Sequence, residues 1–389
     1  MIEKIRNRLL SSPDNLSEEE IFHLIETTVL EEKNDLSLTE YEHLIPRIYS
    51  RLRSKIGILE LYLQNEEINE IMINGPENVF IETRGGIVRV NDAFSTVEEL
   101  EEIIRNIAAY VHREINEMHP ILDARLSDGS RVNAVYKNIA VGGPILTIRK
   151  FAKERIDMEN LIRYGTLTMQ CAEDLKMYVA CGYNLFISGG TSSGKTTFLN
   201  ALSDYVPERE RVIVIEDSTE LQLHHIENLV QMECHQANTM GKGEVTMDML
   251  IRTSLRMRPD RIIVGEVRGK EVADMLQAMN TGHDGSMSTG HGNSIEGMLR
   301  RLEAMYLMSS NMPIEAIRSQ IVEGIDIMVH LGRMEDGSRK VLEVAELIDF
   351  QEGKYVLNPL YMMDKEQYLV FTGNSLMNQR KLNWKGKRG

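Results

Sequence analysis

Residues 185–197 read Leu185-Phe186-Ile187-Ser188-Gly189-Gly190-Thr191-Ser192-Ser193-Gly194-Lys195-Thr196-Thr197. The apolar run at its start has the length and polar boundaries of a buried parallel strand, and Thr196 to Leu202 opens a helix. Between them glycine stands at 189, 190 and 194, where the backbone must come close to something. A loop that wraps a chain of phosphates needs that closeness. It also needs free amide N–H groups at a helix start, a lysine for the outer phosphates and a hydroxyl for magnesium. Gly189, Gly190, Thr191, Ser192, Ser193, Gly194, Lys195, Thr196 and Thr197 supply these features, so ATP and Mg²⁺ are the expected cofactors, with Thr196 on the metal.

Two more buried runs follow, Val212-Ile213-Val214-Ile215 and Ile262-Ile263-Val264. With the helical spacing between them they predict an α/β fold with a doubly wound or RecA-like sheet. Hydrolysis of a triphosphate needs carboxylates at the ends of neighbouring strands, one to hold Mg²⁺ and one to orient or deprotonate water. Glu216 and Asp217 follow the first run, and Glu266 follows the second.

Farther on, Thr281-Gly-His-Asp-Gly-Ser-Met-Ser-Thr-Gly-His-Gly292 places His283 and His291 on glycine-flanked ground. They read either as satisfied structural residues or as γ-phosphate sensors, and no third ligand shares a metal-site spacing with them. His291 is carried forward as a catalytic candidate. Met247 to Arg258 predicts a helix stopped by Pro259, with Arg252 and Arg256 on one face and Arg258 and Arg261 near. That cluster is open to a solvated or a phosphate-facing reading.

Upstream, spaced apolar residues over 1–60 predict a helical extension, entered through capping boxes at Ser17 with Glu20 and Thr39 with Glu42. Over 61–150 the period shortens to strands around Ile71, Val79, Ile87, Arg131 to Tyr136 and Ile145 to Ile148. A helix capped by Thr96 sits among them, giving a mixed α/β N-terminal domain. Residues 151–165 lack a clean period and read as a linker, and 166–389 form the RecA-like ATPase domain with a C-terminal subdomain.

Composition narrows the class. A chain of 389 residues with 42% apolar and 26% charged residues is an ordinary folded protein of two or three domains. Its N-terminus lacks a signal-peptide core and no apolar run is long enough to span a bilayer, so the expected location is cytoplasmic. Cys171, Cys181 and Cys234 form neither a disulfide framework nor a zinc set. A net charge of −15 counts against a dedicated nucleic-acid binder. The last ten residues reverse the sign, with Arg380, Lys381, Lys385, Lys387 and Arg388 around Trp384. They read as a frayed terminus, or as a touchpoint for an acidic partner or a membrane face.

With these residues in view the chain resembles the secretion-superfamily ATPases of type II and type IV secretion and type IV pili, and most of all the Tad (Flp) pilus assembly ATPase, CpaF-type. Its motifs appear in family order: the Walker A loop Gly189 to Thr196, the Asp box Arg211 to Glu220, the Walker B segment Arg258 to Arg268, and the His box Thr281 to Gly292. The likeness covers about residues 65–350. It implies a homohexameric ring that passes conformational work to an inner-membrane platform protein, and so a peripheral place at the inner face of that membrane. It further implies water activation by Glu216, Mg²⁺ binding by Glu266, and contact of Arg131 and Arg149 with the γ-phosphate side. Gly265 departs from the general pattern, standing where many NTPases carry the Walker B aspartate. A small-molecule kinase would begin nearer its phosphate loop, and a DNA-translocating ATPase sits poorly with the acidic balance.

Overall fold

The structure, a computed structural model, describes residues 2–10, 16–33, 36–83, 85–151, 155–235, 237 and 241–385. It divides into two compact units, Met1–Glu154 and Arg155–Gly389.

The first unit opens with α1 (Ile2–Leu10), α2 (Glu18–Glu32), α3 (Leu38–Arg53) and α4 (Leu59–Gln64). Ile21, Ile25 and Val29 of α2 share a core with Ile5 of α1 and Ile45 and Ile48 of α3. Ser17 and Glu20 close a capping box at α2. The second box is not Thr39 with Glu42. Ser37 caps α3 and Glu40 reaches back to it, because the same four-residue pattern begins two positions earlier and serves the first free amides of the helix.

Beyond them come β1 (Ile68–Asn74), β2 (Val79–Thr83), β3 (Gly86–Arg89), α5 (Val97–Tyr110), β4 (Ile121–Arg125), β5 (Arg131–Val135) and β6 (Ile145–Arg149). The strands make an antiparallel sheet in the order β3-β2-β1-β6-β5-β4. Leu100, Ile103, Ile104 and Ile107 of α5 lie in one core with Ile71, Ile73, Leu146 and Ile148 of the sheet.

The second unit begins inside the stretch expected to be a linker. Asp157 caps α6 (Met158–Arg163), a helix of six residues, too short for a period to show in the sequence. Met158 and Leu161 are buried in the core of this unit, so 158–163 is a packed element and not a tether. Then follow α7 (Met169–Cys181), β7 (Leu185–Gly189), α8 (Lys195–Ser203), β8 (Val212–Glu216), β9 (Leu229–Glu233), α9 (Met247–Ser254), β10 (Arg261–Val267), α10 (Val272–Asn280), β11 (Met287–His291), α11 (Ile295–Leu307) and α12 (Ile314–Gly324). The chain ends on β12 (Ile327–Arg333), β13 (Arg339–Gln351), β14 (Lys354–Met363), β15 (Leu369–Phe371) and α13 (Arg380–Lys385).

The sheet order is β15-β14-β13-β12-β7-β11-β10-β8-β9. Strands from β12 to β9 run parallel, and the long β13–β14 hairpin with β15 extends the sheet antiparallel. Alternation along the strands feeds two cores. Leu185, Ile187, Val212 and Val214 join α7 and α8 on one side, while Phe186, Ile213 and Ile215 join α9 to α12 on the other. Helices therefore cover both faces, and this is the RecA-like α/β fold that the sequence predicts. The α9 helix ends at Ser254, short of Arg258, which has left the helix with φ 56° because a residue before proline resists the α-helical conformation. Among the described residues no helix is long and apolar enough to cross a membrane.

Candidate active site

β7 delivers the chain to the phosphate-type loop at Gly189, where a side chain has no room. A Cβ there would meet Ser193 Oγ at 2.5 Å and Leu331 O at 2.6 Å. Gly194 adopts φ 88° as it enters α8, a backbone state that glycine takes without strain. The amides at the start of α8 thus face the loop with the positive end of the helix dipole behind them. Lys195 is buried and folds back over the loop. Its Nζ donates to Gly190 O at 3.0 Å and lies 3.2 Å from His291 Nδ1. Burial holds the Lys195 ammonium below the usual lysine range; Glu266 pulls it up and Arg268 pushes it down. Thr196 and Thr197 follow, half-buried on the first turn of α8.

Sheet register brings the acids to this loop. β11 pairs with β7 so that His291 stands beside Gly189, and β10 lies between β11 and β8. His291 Nε2 is 2.7 Å from Glu266 Oε1, a close contact out of hydrogen-bond alignment, so among the described residues the buried Oε1 has no donor. Burial lowers the His291 pKa, opposed by Glu266 and reinforced by Lys195, Arg268 and Arg301. Arg268 bridges two carboxylates, donating to Glu266 Oε2 at 2.9 Å and to Asp217 Oδ2 at 3.0 Å.

Glu216 is buried at the end of β8. Its Oε1 accepts from the amides of Glu220 at 3.0 Å and Leu221 at 3.2 Å. The same side chain accounts for Gly265, since a Cβ at 265 would stand 2.8 Å from Glu216 Cγ. The volume that an aspartate would need on β10 is already filled by the glutamate from β8.

A magnesium nucleotide fits this donor set. The loop offers amides, the buried Ser193 Oγ and Glu266 Oε1 both lack hydrogen-bond partners among the described residues, and Thr196 adds a hydroxyl. Magnesium prefers one or two protein oxygens shared with phosphate oxygens.

The family described as Type II/IV secretion system protein matches residues 53–343. The chain belongs to the type II/IV secretion system protein family. Among relatives of this secretion-family protein, a putative conjugal transfer protein of Mycobacterium tuberculosis is 32% identical over 297 residues, spanning 75% of this chain and 84% of its own. Type IV secretion system protein PtlH of Bordetella pertussis is 33% identical over 314 residues, 74% of this chain and 92% of its own. An uncharacterized protein of Methanocaldococcus jannaschii is 45% identical over 242 residues, 60% of this chain, and the matched part is only 33% of that archaeal protein. The fold is shared with the Legionella pneumophila ATPase DotB, at TM-score 0.53 and 21% identity over 76% of this chain and 81% of that one. It is also shared with the pilus retraction motor PilT solved with ADP, at TM-score 0.51 and 18% identity over 86% of this chain and 87% of that one.

Arg131 and Arg149 belong to the first unit and pair directly across β5 and β6, with Arg125 beyond Arg131 and Glu70 beyond Arg149. Paired positions share a face, so three arginines and one glutamate form a row across the sheet. Arg252 is tied to Asp248 and lies 3.9 Å from Asp274. Arg261 is wholly buried and holds Glu210 at 2.9 Å and Val179 O at 3.0 Å, which makes it a structural residue. His283 Nδ1 lies 3.1 Å from Ala278 O, at the end of α10. Lys381 lies 2.8 Å from both Asp284 and Asp326, whereas Lys387 and Arg388 fall outside the described residues.

Two neighbours of the loop escape sequence reasoning. His330 is buried beside Ser188, Nδ1 to Oγ 2.9 Å, and Arg339 Nε donates to Ser192 O at 3.1 Å. Only the pairing of β12 with β7 and the return of β13 bring them there, and no spacing signals either.

Proposed function

We propose that this chain is an ATP-hydrolysing motor that works as a homohexameric ring on an inner-membrane platform protein, in assembly of a Tad-type pilus or in type II/IV protein secretion. The observation that carries the proposal is the buried Lys195, held between Gly190 O and His291 Nδ1 and electrically coupled to Glu266. A buried lysine aimed into an amide-lined loop next to a carboxylate oxygen that accepts no hydrogen bond among the described residues suits a triphosphate better than any neutral ligand. The conjugal-transfer and type IV secretion relatives and the order of the four motifs support the secretion-ATPase setting.

In this mechanism the loop amides and Lys195 bind the phosphates. Glu266 and Thr196 would hold Mg²⁺, which when bound neutralises charge on the phosphoryl group. Glu216, fixed by two backbone amides, orients and deprotonates water. His291 gives up Lys195 to the incoming phosphate and senses it in turn. In line with the family resemblance, Arg131 and Arg149 act on the γ-phosphate side, so that ATP and ADP favour different conformations of the motor, which is what drives it. The second unit, with α6 in its core, carries the nucleotide loop, and 1–60 is an accessory helical extension. Mass measurement with a non-hydrolysable ATP analogue tests the ring. Six copies are expected, and a monomer at micromolar concentration would refute it.

A further inference from the structure

We propose that Arg268 is a positioning residue that aims Glu266 at the divalent cation, an inference that rests on the ATPase reading above. Arg268 stands just past β10, two residues beyond Glu266. Its planar fork donates from Nη2 to Glu266 Oε2 at 2.9 Å and from Nη1 to Asp217 Oδ2 at 3.0 Å. One guanidinium thereby ties the end of β10 to the end of β8, and Asp217 is the residue next to Glu216. The fork thereby fixes Glu266 relative to Asp217, the chain neighbour of Glu216. A lysine ammonium, a point charge without two parallel donors, would not hold both carboxylates in a fixed plane.

The bridge leaves the two oxygens of Glu266 unequal. Oε2 is occupied by Arg268, while Oε1 is buried without a donor among the described residues and stands 2.7 Å from His291 Nε2. Oε1 keeps only that ion-pair contact and no hydrogen bond among the described residues, and a cation or its bound water would complete it. Arg268 therefore decides which oxygen is turned to His291 and the loop and where it points. The gain is orientation and not stability. The Arg268 and Asp217 side chains are 56% and 44% exposed, and pairs this exposed contribute little to folding. Variants at these positions should fold. A rival role, direct contact of Arg268 with phosphate, makes a different prediction, since its loss would be felt with or without metal.

The test measures affinity for a fluorescent ADP across a Mg²⁺ titration and in EDTA, with thermal unfolding of each nucleotide-free protein. Arg268→Ala is expected to raise the Mg²⁺ concentration for half-maximal binding by about 10- to 100-fold, as when an outer partner of a metal ligand is lost. Its affinity in EDTA should stay close to wild type. Arg268→Lys and Asp217→Asn should shift in the same direction by less, and Arg268→Ala should add nothing in a Glu266→Gln background. An equal loss in EDTA and in Mg²⁺, or no shift at all, would overturn the positioning role. A wild-type chain that binds no fluorescent ADP under either condition would overturn the ATPase reading itself. If Arg268→Ala unfolds, the Lys and Asp217 variants carry the same comparison.

Discussion

Replacing Gly265 by alanine puts a methyl group where the structure has Glu216. The new Cβ would stand 2.8 Å from Glu216 Cγ, whereas carbon atoms rest at about 3.5–4.0 Å. Position 265 lies on β10, between β11 and β8, so the backbone there has little freedom to retreat. Glu216 must move instead, and its carboxylate is held by the amides of Glu220 and Leu221. Overpacking of this kind costs about 1–3 kcal/mol, roughly 3–10 °C in Tm for a unit of this size. If Glu216 is the positioned base, hydrolysis falls by about 10² or more. Thermal unfolding and phosphate release are measured on wild type, Gly265→Ala, Glu216→Ala and the double variant. Because Glu216→Ala removes the clashing Cγ, adding Gly265→Ala to it should cost almost nothing further, a coupling of about 1–3 kcal/mol. Additive losses, or a Gly265→Ala protein with wild-type Tm and rate, would refute the account of Gly265.

Glu216→Gln should slow hydrolysis by about 10² with nucleotide affinity held within a few-fold, while Glu266→Gln raises the Mg²⁺ requirement; the opposite pattern exchanges their roles. Arg131→Ala and Arg149→Ala should each cut turnover by about 10³ or more and keep ADP affinity, and a double variant with full phosphate release sinks the γ-phosphate role of these arginines. Burial lowers the His330 pKa below its ordinary 6.5, offset by a hydrogen bond with the backbone of Asn293 and reinforced by Lys195. An imidazole depressed in the folded state protonates first in the unfolded chain. Its contribution is therefore whole above that ordinary value and is lost as pH falls toward the folded one. Tm should drop between pH 7.5 and 5.5, and His330→Asn should shrink the drop; an unchanged drop contradicts this.

Much of the second unit was legible because the information is local. A buried strand, a glycine loop and a helix start occupy consecutive residues from 185 to 202, and Glu216 and Glu266 each follow an apolar run. What stayed hidden depends on register between distant segments. Nothing in the sequence places His330 beside Ser188, or Arg339 against Ser192, because those meetings follow from β12 and β13 lying next to β7 in the order of the sheet. Gly265 was visible as a departure, but its cause was not, since the atom that fills its space comes from β8. Local signals also compete: Ser37 and Thr39 both begin a capping pattern, and only the structure shows that Ser37 takes the helix. Six residues of α6 carry too little periodicity to stand out from a linker. Arg261 stood in a cluster open to a solvated or a phosphate-facing role, yet the strand carries it into the core, where it pairs with Glu210.

The central claim is that the loop around Lys195 binds and cleaves ATP. Phosphate release by the purified full chain, with Mg²⁺ and ATP, beside Lys195→Ala measured in parallel, tests it most directly. The account predicts steady Mg²⁺-dependent release by the wild type and none above background in the variant, because the one buried ammonium described at the loop is gone. Equal release by the two proteins, or no release by the wild type in any oligomeric state, would contradict it.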